Sequence, residues 1–159
     1  VYKIYVALPV NRIEPGRLYL VDGAGRFLFE AACRGKADGA RASSEGNPNR
    51  YTVYPYGDFP SGTYYPTNVV TLDPPHSRIG NAWIPLNGYD GDARDAASNG
   101  RTGLGIHATP DDDGDRGEQT LIATYGCLRV LDEEFAELCN ILGDNKVLIS
   151  VIDIPPLDD

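Results

Sequence analysis

The sequence predicts a mainly β fold with long loops and one short helix, and three observations predict it. Segments that alternate apolar and polar residues stand near both ends, YKIYVAL (2–8) and KVLISVID (146–153). Gly (18), Pro (12) and Tyr (10) are plentiful in the 159 residues, and they favour turns and strands over helices. Periodic runs of helix formers are scarce. The length suits one domain, residues 1–159, with a core large enough to fold alone.

The elements follow in order. YKIYVAL (2–8) reads as a strand. RLYLVD (17–22), a turn at Gly23 and Gly25, and RFLFEAAC (26–33) read as a hairpin. Residues 34–50 hold many small polar residues and read as a long exposed loop, followed by a short strand at YTVYPY (51–56). GDFPSGTYYPTNVVTL (57–72) reads as a turn and a strand broken at Pro66. Residues 73–101 read as largely irregular, with a helical turn near Asp92–Ala97. TGLGIHA (102–108) reads as a strand ending at His107, TPDDDGDRGEQ (109–119) as a polar loop and TLIAT (120–124) as extended. DEEFAELCNIL (132–142) is the one clear helix. Asp132 is its expected N-cap, Glu133 and Glu134 sit where the helix dipole favours anions, and Gly143 ends it. Phe135, Leu138, Cys139 and Leu142 share one face.

Charge narrows the partners. The formal net charge is −9 and no Lys/Arg cluster occurs, which argues against nucleic acid and anionic membrane surfaces. The longest apolar runs, such as VLISVI (147–152), are too short to span a bilayer, so no membrane insertion is expected. No secretory leader is visible, but the chain begins at Val1, which fits a processed chain. Cys33, Cys127 and Cys139, with only two histidines, match no zinc spacing; no metal and no cofactor is expected. DDDGD (111–115) resembles a calcium loop only loosely, because Arg116 stands where that loop needs glycine. Cys33 and Cys139 read as buried and inert; a disulfide between them is the alternative.

Cys127 has different company. It lies in ATYGCLRV (123–130), behind Gly126 and two residues before Arg129. A cysteine attacks as thiolate, and a neighbouring base or cation must favour that form. His107 ends a predicted strand, and the 16 residues between it and Thr124 suffice for a strand–loop–strand return. His76, in DPPHSR, reads as a loop residue. Gly126 lets the backbone approach a substrate, and amides around Gly126 and Cys127 form a candidate oxyanion hole.

His107, the spacer and Thr124-Tyr125-Gly126-Cys127-Leu128-Arg129 together resemble the signature of YkuD-type L,D-transpeptidases. GDFPSGTY (57–64) and the early strands followed by Gly35 and Lys36 fit the same layout, so the resemblance covers roughly residues 2–152. It implies an L,D-transpeptidase-like β-sandwich with a short helix after the cysteine. It implies a thioester enzyme acting on peptidoglycan stem peptides, in the periplasm or outside the cell. Cys127 would be the nucleophile, His107 the base and Gly126 part of the catalytic loop, with Arg129, Tyr125 and Thr124 toward substrate. The chain departs from the family at Tyr125, where a second histidine is usual, and at Ala108, where glycine is common.

Alternatives stay open at this level. Arg129 fits an ion pair holding the loop as well as a substrate carboxylate contact, and Tyr125 fits a packed aromatic as well as a cleft wall. A non-catalytic wall-binding domain would keep the same fold. Sortases hold their histidine much further upstream, and NlpC/P60 peptidases place cysteine before histidine. The activity left open is transpeptidation, carboxypeptidase trimming or amino-acid exchange, in a wall enzyme or in a secreted antibacterial effector.

Overall fold

The computed structural model describes residues 1–76, 79–108 and 124–155. The expected mainly β fold is what it contains: nine strands in one curled, mixed sheet, with three short helices. The strands are β1 (Tyr2–Pro9), β2 (Gly16–Val21), β3 (Phe27–Arg34), β4 (Gly62–Thr67), β5 (Val70–His76), β6 (Gly80–Pro85), β7 (Gly105–His107), β8 (Leu128–Val130) and β9 (Val147–Ile154). The helices are α1 (Gly39–Ser44), α2 (Gly91–Ser98) and α3 (Asp132–Leu142). The spatial order is β4-β9-β1-β2-β3-β8-β7-β6-β5. Two neighbouring pairs are parallel, β1 with β9 and β7 with β8.

Alternation along each strand sets the core. Ile4, Val6 and Leu8 of β1, Leu18 and Leu20 of β2, Leu128 and Val130 of β8, and Val147, Ile149 and Val151 of β9 point to one buried side. Phe135, Leu138 and Leu142 of α3 close over it. The predicted helix therefore sits where its apolar face demands, with Cys139 half-buried at the margin. β7 and β8 are buried on both faces, as Ile106 and His107 show. The short central strands thus have a second covered side, and the candidate site lies there.

Several expectations need correction. Residues 34–50 are not a plain loop: Asp38 caps α1 by accepting from the Arg41 amide at 2.9 Å, and Ala42 and Asn47 are buried. YTVYPY is not a strand but a run of turns. The Asn47 side chain holds it, donating to the Tyr51 carbonyl at 3.0 Å and accepting from the Tyr51 amide at 3.0 Å. The stretch 73–101 is less irregular than expected, holding the end of β5 and all of β6, while α2 stands where the helical turn near Asp92–Ala97 is expected. β4 runs through Pro66, and β5 holds Pro74 and Pro75. Both are edge strands, where proline is tolerated, and the pairing shifts register across each proline stretch, between Tyr64 and Thr67 and between Thr71 and His76. The cap of α3 is Leu131, with no side-chain bond, so Asp132 is the first helical residue. The loop 109–119 and most of TLIAT lie outside the described residues. All three cysteines are free, so Cys33 and Cys139 are not paired. Among the described residues no helix is long and apolar enough to cross a membrane, and no His/Cys/Asp/Glu group could hold a metal.

Candidate active site

Register sets the two predicted segments side by side. In the parallel pair of β7 and β8, Ile106 lies beside Leu128 and His107 beside Arg129. His107 and Arg129 therefore share a face, and Cys127 stands just before β8, its thiol meeting the Gly105 backbone two residues before His107. Ile106 and Leu128 point the other way, into the core. Half of a strand pair thus anchors and half presents chemistry.

His107 is buried, and its Nδ1 lies 2.7 Å from the Ala108 carbonyl. A carbonyl only accepts, so Nδ1 carries a proton in this contact. The group orienting the imidazole is thus a backbone carbonyl, which sequence reasoning does not see.

Cys127 is half-buried, and its Sγ donates to the Gly103 carbonyl at 3.3 Å. Burial pushes the thiol pKa up; a hydrogen bond from the Gly105 backbone and the charges of Arg101 and Arg129 pull the other way. Cys33 has only the charge of Arg17 against its burial, and Cys139 has no such company. Burial raises them to about 12 and about 11.

Thr124 shapes the loop from within. Its Oγ1 accepts from the Gly126 amide at 2.9 Å and donates to the Cys127 carbonyl at 2.9 Å. The Thr124 carbonyl accepts from the Asp38 amide at 2.7 Å, tying the loop to the start of α1. Thr124 is itself buried, so it holds the turn rather than lining a cleft. The Gly126 amide is engaged by this bond and is not available as the expected oxyanion donor in this conformation. Thr124→Val, which keeps the shape, leaves that amide buried without its partner. Urea unfolding should show a loss of about 1–3 kcal/mol, with Thr124→Ser close to wild type.

Gly126 is required for another reason. It has φ +117, and a Cβ there would stand 2.2 Å from Arg101 Nη2 and 2.6 Å from the Gly57 carbonyl. Arg101, which the sequence analysis passed over, is buried beneath the loop. Its Nη2 donates to the carbonyls of Gly57 at 2.6 Å and Gly126 at 3.2 Å. Its Nη1 donates to the carbonyls of Asp58 at 2.9 Å and Thr52. Asp58, also passed over, accepts from the Ala37 amide at 2.8 Å and from Arg50 Nε at 3.1 Å.

Trp83 completes the inner wall. It pairs with His107 across β6 and β7, and a Cβ on Gly105 would meet its ring at 2.4 Å. Gly105 precedes His107 by two and shares its face. The indole therefore lies over the backbone that contacts the thiol. The Gly-x-His pattern beside a lone tryptophan was the available signal.

The rim is aromatic and cationic. Tyr125 is exposed and meets Tyr56 edge-to-face at 6.4 Å. The Arg41 guanidinium lies 5.1 Å from the Tyr56 ring centre and 5.3 Å from that of Tyr125. Arg129 is buried beside His107, away from this rim. His76 ends β5 and pairs with Gly80 at the turn into β6, at the sheet edge and away from β8.

No protein-family model matches the chain, and no curated protein matches it significantly. Solved structures do. The chain is similar to Bd1075 of Bdellovibrio bacteriovorus at 19% identity and a TM-score of 0.55, covering 93% of this chain and 47% of that one. It is similar to Pgp2 of Campylobacter jejuni, described as a helical cell shape determining protein, at 14% identity and a TM-score of 0.56, covering 98% of this chain and 49% of that one. The chain thus spans about half the length of each, and what it shares with them is the fold.

Proposed function

We propose that this chain is a cysteine acyl-transfer enzyme of the cell wall, an L,D-carboxypeptidase or L,D-transpeptidase acting on peptidoglycan stem peptides. The observation that carries the reading is Cys127 standing just before β8 with its thiol against the Gly105 backbone, beside the parallel strand β7 that ends at His107, whose Nδ1 is tied to Ala108. The fold shared with a helical cell shape determining protein supports the wall as setting, and the reading carries with it a location in the periplasm or outside the cell.

The chemistry follows from the groups present. His107 Nε2 takes the thiol proton as Cys127 Sγ attacks the amide carbonyl carbon of the third stem residue. The proton passes to the leaving amine, the C–N bond breaks, and the terminal D-amino acid departs. The acyl group remains on sulfur as a thioester. Water resolves it to a trimmed stem, or the amine of a second stem resolves it to a cross-link. Gly126 acts here by letting the loop sit on Arg101. Thr124 acts by fixing the turn, Arg129 by its positive charge near the thiol, and Tyr125 by lining the entrance.

Incubation with disaccharide tetrapeptides followed by mass spectrometry tests the reading. Loss of the terminal D-alanine indicates trimming, and a dimer indicates cross-linking. Unchanged muropeptides from folded protein would favour a wall-binding domain without catalysis.

The rim adds a second expected outcome. Stem peptides carry carboxylates, and Arg41, held by Tyr56 and Tyr125 and ion-paired with Glu45 at 3.3 Å, is a cation at the entrance. Arg41→Gln should raise KM several-fold at low salt and leave kcat nearly unchanged, because an exposed charge acts on encounter and is screened. A KM equal to wild type at low salt would remove Arg41 from substrate capture.

A further inference from the structure

We propose a second binding site on this chain, for the glycan strand, built on the tyrosine pair Tyr65 and Tyr89 away from the thiol. It rests on the peptidoglycan reading for the identity of the sugar and on the surface itself for the site. Two cavities, of about 440 Å³ and about 480 Å³, share these two residues as their common wall. Both side chains are exposed, at 47% and 57%, and their rings meet edge-to-face at 5.1 Å and 76°. Rings so nearly perpendicular cannot both stack on one sugar. Each offers its face to a different unit of a chain that crosses the ridge.

The linings fit a sugar. The first cavity adds Tyr5 and Leu148 as apolar floor, with Lys3, Thr63 and Ser150 as polar groups. The second adds Asp90, Arg94 and Ser98. A pyranose presents a C–H face edged by hydroxyl and amide groups. Tyrosine presents an apolar face with a polar tip. Mixed charges and hydroxyls around the rings supply the donors and acceptors that a neutral amino-sugar polymer needs.

An extended peptide is the weaker occupant, because the edge it would extend is taken. β4 borders the sheet, yet the Tyr65 amide donates to the Asn87 carbonyl at 2.9 Å. The Tyr89 amide donates to the Thr63 carbonyl at 2.9 Å, and Tyr64 bridges to Gly88. Strand addition has no free ladder here. The same bonds hold both tyrosines rigidly, which lowers the entropy cost of binding.

The site is joined mechanically to the thiol. The second cavity is lined by α2, whose Asp92 accepts from Thr52 Oγ1 at 3.1 Å. Asn99, which caps α2, donates to the Val53 carbonyl at 2.9 Å. The Thr52 carbonyl is held by Arg101, which also holds Gly126. On that connecting loop stands another exposed edge-to-face pair, Tyr51 and Tyr54 at 6.4 Å, before the Tyr56–Tyr125 pair at the thiol. Three tyrosine pairs thus run from the ridge to the entrance along connected elements.

The test uses the whole chain and peptide-free glycan strands released from peptidoglycan by an amidase, with binding followed by calorimetry. Wild type should bind. Tyr65→Ala with Tyr89→Ala should weaken binding roughly tenfold or more, and Tyr65→Phe with Tyr89→Phe should retain most of it. Turnover of free stem peptide should be unchanged in both. Failure of wild type to bind glycan, or full binding by the double alanine variant, would overturn the site while leaving the catalytic reading in place. Ring-dependent glycan binding without any stem-peptide turnover would uphold the site and remove the catalytic reading.

Discussion

Cys127→Ala should abolish release of D-alanine from tetrapeptide stems, a fall of about 10³-fold or more, while the protein stays folded. The thiol sulfur is held by backbone only, donating to the Gly103 carbonyl at 3.3 Å and accepting from the Gly105 backbone, and Cys127 is no member of the packed core. Removing it therefore costs little stability. Cys33→Ala should keep the activity, although Cys33 is fully buried and its loss opens a small cavity. Cys139→Ala should do the same from the half-buried margin of α3. Turnover by the Cys127→Ala protein at the wild-type rate would end the nucleophile assignment. The state of the thiol before substrate arrives is also testable. Burial raises its pKa, with the Gly105 backbone, Arg101 and Arg129 opposing, so the resting thiol is protonated at neutral pH. That suits His107 as a base that removes a proton during attack, rather than as one half of a preformed ion pair. Alkylation of Cys127 by iodoacetamide should be slow at pH 7 and climb beyond the range of an ordinary thiol. For stability the sign is fixed by the same shift. The folded pKa lies above the unfolded 9.0, so the contribution is full below pH 9 and is lost as pH rises through the higher folded value. Rapid alkylation at pH 6 would contradict the protonated resting state.

The adjacency of the segment ending at His107 and the one following Cys127 was legible because it rests on local signals: a glycine before the cysteine, a histidine ending a strand, and a spacer long enough to return. α3 was legible for the same reason, since acidic residues, one apolar face and a terminal glycine all lie within one segment. The segments that were misread depend on distant partners. YTVYPY looks like a strand by propensity, yet Asn47 binds the carbonyls of Tyr51 and Pro55 and Arg101 that of Thr52, which a ladder would need. β5 and β6 were hidden by prolines that are harmless only on an edge, and edge position is a property of the whole sheet. The roles of Thr124 and Gly126 shifted inward for the same reason. Each residue type was noticed, but the groups they serve, the turn amide and the Arg101 guanidinium, are 2 and 25 positions away in sequence. Nothing in SNGR (98–101) distinguishes Arg101 from a surface arginine.

Arg101→Met should then be the most damaging single change outside the thiol and its base. One guanidinium fork joins four carbonyls, of Thr52, Gly57, Asp58 and Gly126, from three separate stretches of chain. Burial lowers its pKa from 12.5 to about 10, with Tyr64, Cys127 and Asp58 opposing, so it remains a cation at neutral pH. A methionine fills similar volume but leaves the four acceptors without this donor in a covered site. The expected loss is roughly 3–5 kcal/mol in urea unfolding. Arg101→Lys keeps a charge but not the planar fork, and a single ammonium cannot reach all four carbonyls in line. It should recover only part of the loss. The thiol reports the electrostatic share separately. Arg101 is one of two guanidinium charges favouring the Cys127 thiolate, so its removal should shift the alkylation profile of Cys127 further toward high pH. Arg101→Lys should leave that profile nearer wild type than its stability. Wild-type unfolding by Arg101→Met would show that the loop holding Gly126 is anchored elsewhere. An unmoved alkylation profile in a destabilised but folded variant would confine Arg101 to holding the backbone.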